Sequence, residues 1–122
     1  MCSLEFCATP SAVCCARSLA KRVILEWGRA DLADTAELLV SELVTNAVLA
    51  SAGLASPVVR LWLAAEPDSL VIRVWDGSAK MPKRRDAGPE SEDGWGLMLV
   101  ESLSKQWGAC PEPTGKVVWV QI

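Results

Sequence analysis

The run Ser41-Glu42-Leu43-Val44-Thr45-Asn46-Ala47 places a carboxylate and a carboxamide four residues apart in a stretch with helical spacing. Residues at that interval lie on one helical face, one turn apart. The rest of that face is apolar and is expected to point into the protein. Burying a Glu or an Asn without a partner costs a few kcal/mol. The pair therefore asks for a polar occupant, and a bound nucleotide with its magnesium would supply one.

Other positions carry related chemistry. Asp76-Gly77 follows the strand-like Val74-Trp75. A carboxylate at a buried strand end can accept a hydrogen bond from an exocyclic amine, and Gly77 lets the backbone approach a flat ring. The same dipeptide also marks ordinary turns. Gly94-Trp95-Gly96 opens a helical segment. Its backbone N–H groups can face an anion, helped by the helix dipole, although a flexible helix start explains two glycines as well. Lys80, Lys83, Arg84 and Arg85 crowd the front of the preceding loop, and Asp86, Glu90, Glu92 and Asp93 its back. The basic cluster suits phosphates, an acidic partner or plain solvation. Lys116, in Gly115-Lys116-Val117, either approaches a phosphate or stands as a strand-edge lysine.

The elements that must position these groups follow from periodicity. A short strand is expected around residues 4–7. Val13, Ala16, Ala20, Val23 and Trp27 form a helical stripe over 11–27, after Pro10 and before Gly28. A second helix is expected over about 32–49, capped by Asp31 or Asp34. Its buried side is Ala36, Leu39, Val40, Leu43, Val44 and Ala47. Two strands, 58–65 and 70–75, are joined by Glu66-Pro67-Asp68-Ser69 and so must be antiparallel. Residues 77–93 lack periodicity and form a long loop of the kind that tends to be functional. A third helix is expected from about Gly96 to Trp107, stopped by Gly108, with Leu99, Val100, Leu103 and Trp107 buried. After Pro111-Glu112-Pro113-Thr114-Gly115, residues 117–122 form the last strand. This order predicts an α+β two-layer sandwich, with a mixed, mostly antiparallel sheet and helices on one face.

Alternation assigns the sheet's two faces. If Val59, Leu61 and Leu63 face the helices, then Arg60, Trp62, Val71, Arg73, Trp75, Val117, Trp119 and Gln121 face away. Three tryptophans then lie on the helix-free face. They either pack on one another or under loops, or they form a partner or dimer surface.

Chain-wide properties bound the function. The 122 residues suit one domain, 1–122, with no interdomain linker. Hydrophobic residues make up 51% and charged residues 22%, a globular composition. A net charge of −3 argues against general nucleic-acid binding. No apolar run approaches the roughly 18 to 20 residues that span a bilayer, and the start lacks a secretory-signal pattern, so a cytoplasmic location is expected. Histidine is absent, which removes histidine bases and histidine-containing zinc sites from this sequence. The five cysteines include no CxxC pair and read chiefly as reduced thiols; a cysteine-only metal site near the start is the other reading.

Glu42 with Asn46, Asp76-Gly77, Gly94-x-Gly96 and Gly115-Lys116-Val117-Val118-Trp119 occur here in one order. Together they resemble the GHKL ATPase superfamily, and within it the small anti-sigma-factor kinases of the RsbW and SpoIIAB type. Ser-Glu-Leu-Val-Thr-Asn-Ala-Val, Val-Trp-Asp-Gly-Ser and Gly-Trp-Gly-Leu-Met-Leu-Val-Glu are similar to the short actinobacterial members. The resemblance spans roughly residues 16–122 and implies a Bergerat-type ATP site with magnesium. It implies Asn46 as magnesium ligand, Asp76 as partner of the adenine amine, and Gly77, Gly94, Gly96, Leu97 and Lys116 as pocket and phosphate-loop residues. It implies Glu42 as general base, with 77–93 as a lid. The substrate it implies is a serine or threonine of a STAS-domain anti-anti-sigma factor, and the second partner is a sigma factor held inactive. A homodimer is compatible with it; nucleic acid and membrane are not expected partners. A non-catalytic, ATP-gated binding module is the alternative. Leu49-Ala50 stands where close relatives commonly show a polar pair.

Overall fold

The computed structural model describes residues 1–55, 57–79 and 92–122, with backbone alone over 92–97. The elements run β1 (Cys2–Cys7), α1 (Pro10–Glu26), α2 (Ala30–Ala50), β2 (Val58–Glu66), β3 (Ser69–Asp76), α3 (Glu92–Leu103), β4 (Gln106–Glu112) and β5 (Gly115–Gln121). One sheet has the order β1-β2-β3-β5-β4, and every described pairing in it is antiparallel. None of the parallel pairing that a mixed sheet allows is present among the described strands. The α+β architecture is otherwise as the periodicity predicts.

The core lies between this sheet and the helices. Val59, Leu61 and Leu63 of β2, Leu70, Ile72 and Val74 of β3, and Val118 and Val120 of β5 are buried. They meet Ala36, Leu39, Val40, Leu43, Val44 and Ala47 of α2, all six buried. On α1 the buried positions are Ala12, Ala16, Ala20 and Ile24, with Val13, Val23 and Trp27 partly buried along the margin. The stripe is thus turned slightly from the predicted one. Small alanines on α1 let that helix lie close to α2.

The start of α1 is as expected, and that of α2 differs in detail. Pro10 occupies the first turn of α1, where its missing N–H costs nothing. Arg29, not Asp31 or Asp34, is the N-cap of α2, and Asp31 lies in the first turn. Its carboxylate there suits the helix dipole. Gly28, at φ 76°, makes the left-handed residue between the two helices.

The expected third helix is cut short, and a strand replaces its end. α3 stops at Leu103, while Trp107 and Gly108 belong to β4. Leu99, Leu103 and Trp107 keep helical spacing, which made the longer helix plausible. The ladder to β5 wins: Lys105 N–H donates to the Gln121 carbonyl at 2.7 Å, and Trp107 pairs with Val120. Without β4, β5 would present an unpaired sheet edge. Pro111 is tolerated because β4 is itself an edge strand. Pro113 and Thr114 then form a two-residue hairpin turn, since Glu112 pairs with Gly115.

Candidate functional site

β3 ends in Asp76, a residue only 1% exposed. Inward positions on β3 are Leu70, Ile72 and Val74, and the next in that series is Asp76. The apolar face of the sheet therefore terminates in a carboxylate. Ser78 N–H donates to Asp76 Oδ1 at 2.8 Å, an Asx turn that holds the carboxylate's orientation. Lys116 Nζ donates to the same oxygen at 2.9 Å. Both bonds fall on Oδ1, and Oδ2 takes neither.

Lys116 is 3% exposed, and it lies directly across from Asp76 in the β3–β5 register. It is not a strand-edge lysine, because β5 lies between β3 and β4. It shares the inward face with Val118 and Val120. The pairing closes an ion pair inside the protein, where breaking it by removing one partner costs about 3–5 kcal/mol. Gly115 makes the approach feasible. A Cβ there would strike the Asp76 carbonyl oxygen and come within 2.9 Å of Gly77 Cα. Gly77 itself is packed, with Trp75, Leu54 and the Thr114 carbonyl 3.6–3.8 Å from where its Cβ would sit.

α2 packs against both β3 and α3, and its second half carries the two polar residues picked out from the sequence. Glu42 and Asn46 lie one turn apart there and are half-buried. They flank the buried Leu43, Val44 and Ala47 and do not sit among them. Leu49, further along, is 58% exposed.

α3 begins at Glu92, so Gly94 and Gly96 lie within its first turns and do not precede them. The first four N–H groups of such a helix lack intrahelical partners, and glycines there leave backbone open to an anion. Leu97 is in the same helix. The lid assigned to 77–93 falls mostly outside the described residues, as do Lys80, Lys83, Arg84, Arg85, Asp86 and Glu90.

These residues fit a nucleotide. A carboxylate with one oxygen committed can accept from an exocyclic amine through the other. A carboxamide oxygen suits magnesium, which favours oxygen ligands and keeps several waters. Among the described residues no group of three or more Cys, Asp or Glu could hold a metal, so a metal here would rest on few protein ligands. The proposed cysteine-only site is likewise absent from that set, and all five cysteines are free.

Comparison with known proteins shows the family to which this fold belongs. The family of histidine kinase-like ATPase domains matches residues 6–122. The chain belongs to this family. Membership implies ATP binding and a kinase-type or ATPase-type domain. Among solved structures, the chain is similar to the histidine kinase domain of the Erythrobacter litoralis EL346 blue-light activated histidine kinase. Identity is 29% and the TM-score 0.57, over 74% of this chain and 43% of that one. It is also similar to the Erythrobacter litoralis EL346 blue-light activated histidine kinase in a second structure. There identity is 30% and the TM-score 0.54, over 74% of this chain and 30% of that one. The chain thus spans less than half the length of either. No curated protein matches it. Among the described residues, no helix of this histidine kinase-like domain is long and apolar enough to cross a membrane.

Sequence reasoning missed two features of the site. Ser78 orients Asp76 through its backbone, which no side-chain pattern reveals. Lys116 pairs with Asp76, and part of the signal was available: alternation puts each at the inward end of its own strand, while the β3–β5 adjacency comes from the sheet.

Proposed function

We propose that this domain binds ATP with magnesium and transfers phosphate to a serine or threonine of a STAS-domain anti-anti-sigma factor, while sequestering a sigma factor. The observation that carries the nucleotide part is the buried Asp76 carboxylate, held through one oxygen at the end of β3 beside α2. The protein-kinase part rests on the resemblance of the Ser41–Val48 and Gly94–Glu101 phrases to the small anti-sigma-factor kinases. The similar solved structures are histidine kinases. This sequence has no histidine, so a histidine acceptor would have to come from outside it.

In this reading Asp76 accepts from the base's exocyclic amine. Asn46 supplies an oxygen ligand, and the first turn of α3 offers N–H groups to phosphate oxygens. Bound magnesium would neutralise phosphate charge, which phosphoryl transfer requires. Glu42 takes the proton from the attacking hydroxyl. As a carboxylate one turn from Asn46, it stands on the metal-binding side of α2, where a base is needed. The cytoplasm is the compartment that fits an ATP-dependent regulator.

Magnesium-dependent ATP titration tests the site. The unmodified protein should bind, and Asn46→Ala should weaken magnesium-dependent binding at least about tenfold, roughly the loss of one charge-assisted contact. Absence of binding by the unmodified protein overturns the nucleotide reading. Glu42→Ala should retain ATP and stop phosphorylation of the STAS partner. Persistent transfer in that variant removes Glu42 as base. A second reading, ATP-gated sequestration without transfer, is favoured by the exposed, apolar Leu49 one turn beyond the site. It predicts binding of partner and ATP with no labelled product from the unmodified protein.

A further inference from the structure

We infer that Lys116 is a positioning residue for the base-binding carboxylate and sets the site's selectivity for an amino-purine. The inference rests on the ATP-site reading and reassigns Lys116 from the phosphates to the base end of the pocket.

The argument begins with which oxygen is used. Ser78 N–H and Lys116 Nζ converge on Asp76 Oδ1, at 2.8 and 2.9 Å. Two donors, one from the turn after β3 and one from β5, pin that oxygen and fix the rotation of the carboxylate plane. Oδ2 is thereby held at a defined angle, ready to accept. Lys116 is also a counter-charge in a place where water does not screen: the two side chains are 4% and 2% exposed. A carboxylate only accepts hydrogen bonds, so Asp76 rewards a ligand that presents an N–H and gives nothing to one that presents a C–H.

The placement is built by the backbone. Asp76 and Lys116 are direct partners across β3 and β5, and Gly115 lets β5 run against the Asp76 carbonyl. The lysine stem is packed within the sheet's inward face, so the ammonium has little freedom to reach elsewhere. Its head is 3% exposed and hydrogen-bonded to a carboxylate at the end of β3.

The test compares ATP with purine ribonucleoside triphosphate, which has hydrogen in place of the 6-amino group, both with magnesium. One hydrogen bond to a charged group corresponds to a preference for ATP of about 10- to 100-fold in the unmodified protein. Lys116→Met should reduce that preference to below about 3-fold. Affinity for the purine analogue should change little, since it does not use Asp76. A general structural defect would instead lower both affinities together and leave their ratio intact, and that outcome overturns the inference. Lys116→Gln retains a neutral donor for Oδ1 and is the gentler replacement should the methionine variant not fold. Its preference should fall between the two, and an unchanged preference in it overturns the inference. Absence of ATP binding by the unmodified protein is a different result, and it overturns the site reading itself.

Discussion

At Asp76, several constraints meet within a few ångströms. The carboxylate is buried, its Oδ1 is shared by Ser78 and Lys116, and its carbonyl oxygen is brushed by the position of a Gly115 side chain. Gly115→Ala should therefore push β5 away from β3 at the Asp76–Lys116 pair. Overpacking of this kind costs about 1–3 kcal/mol. Thermal unfolding should show that loss, and ATP affinity should fall with it, because the ion pair and the base contact share one geometry. Unchanged affinity in a folded Gly115→Ala protein would separate the two. Gly77, nearby, is more tolerant: its nearest neighbours stand at ordinary contact distance.

At the scale of elements, the site is held by the packing of α2 on the sheet. Ile72 is fully buried at the centre of β3. Ile72→Ala should destabilise the domain by about 2–5 kcal/mol, read from urea unfolding midpoints at constant slope. α1 is tied to α2 by Lys21, whose Nζ lies 3.4 Å from Asp34 and 3.3 Å from Glu37. These partners, Glu37 foremost by its hydrogen bond, hold the Lys21 ammonium above the ordinary lysine range. A raised value in the folded state means the stabilisation is present below about pH 10.4 and disappears as pH climbs through the folded value. The melting temperature of the native protein should exceed that of Lys21→Met by a small, constant margin through neutral pH. That margin should shrink above about pH 10.4, and added salt should shrink it too. A margin that grows at high pH would contradict the pairing.

Across the whole molecule, the sheet has two unlike faces. The inner one is sealed by helices. The outer one carries Trp62, Trp75 and Trp119, each half-buried, with the Arg60 guanidinium 5.0 Å from the Trp75 ring centroid. Trp119 lies over Gly108 on the neighbouring strand, whose missing side chain makes room for the indole. Part of this aromatic surface is thus satisfied within the sheet. As a partner or second-copy surface, it predicts that Trp119→Ala lowers partner affinity about tenfold or more, as loss of a central aromatic does, or shifts the solution mass. Both quantities unchanged would leave the tryptophans as packing alone.

Much of this protein is legible from residue order because its periodicities are strong and local. α2 buries Ala36, Leu39, Val40, Leu43, Val44 and Ala47 as its spacing requires, and β2 and β3 turn their predicted faces inward. Glu42, Asn46 and Asp76 can be picked out because polar groups stand on or beside apolar stripes. Other features depend on partners distant in the chain. β4 forms by pairing with β5, and its own residues read as the end of a helix and the turn after it. Lys116 looks like a surface lysine until β5 is inserted between β3 and β4, 40 residues from Asp76, and its charge meets the carboxylate. Hydrophobic spacing is a property of neighbours in sequence, so the chain declares it. Which strand lies beside which, and so which charges are buried together, is settled only when the sheet assembles.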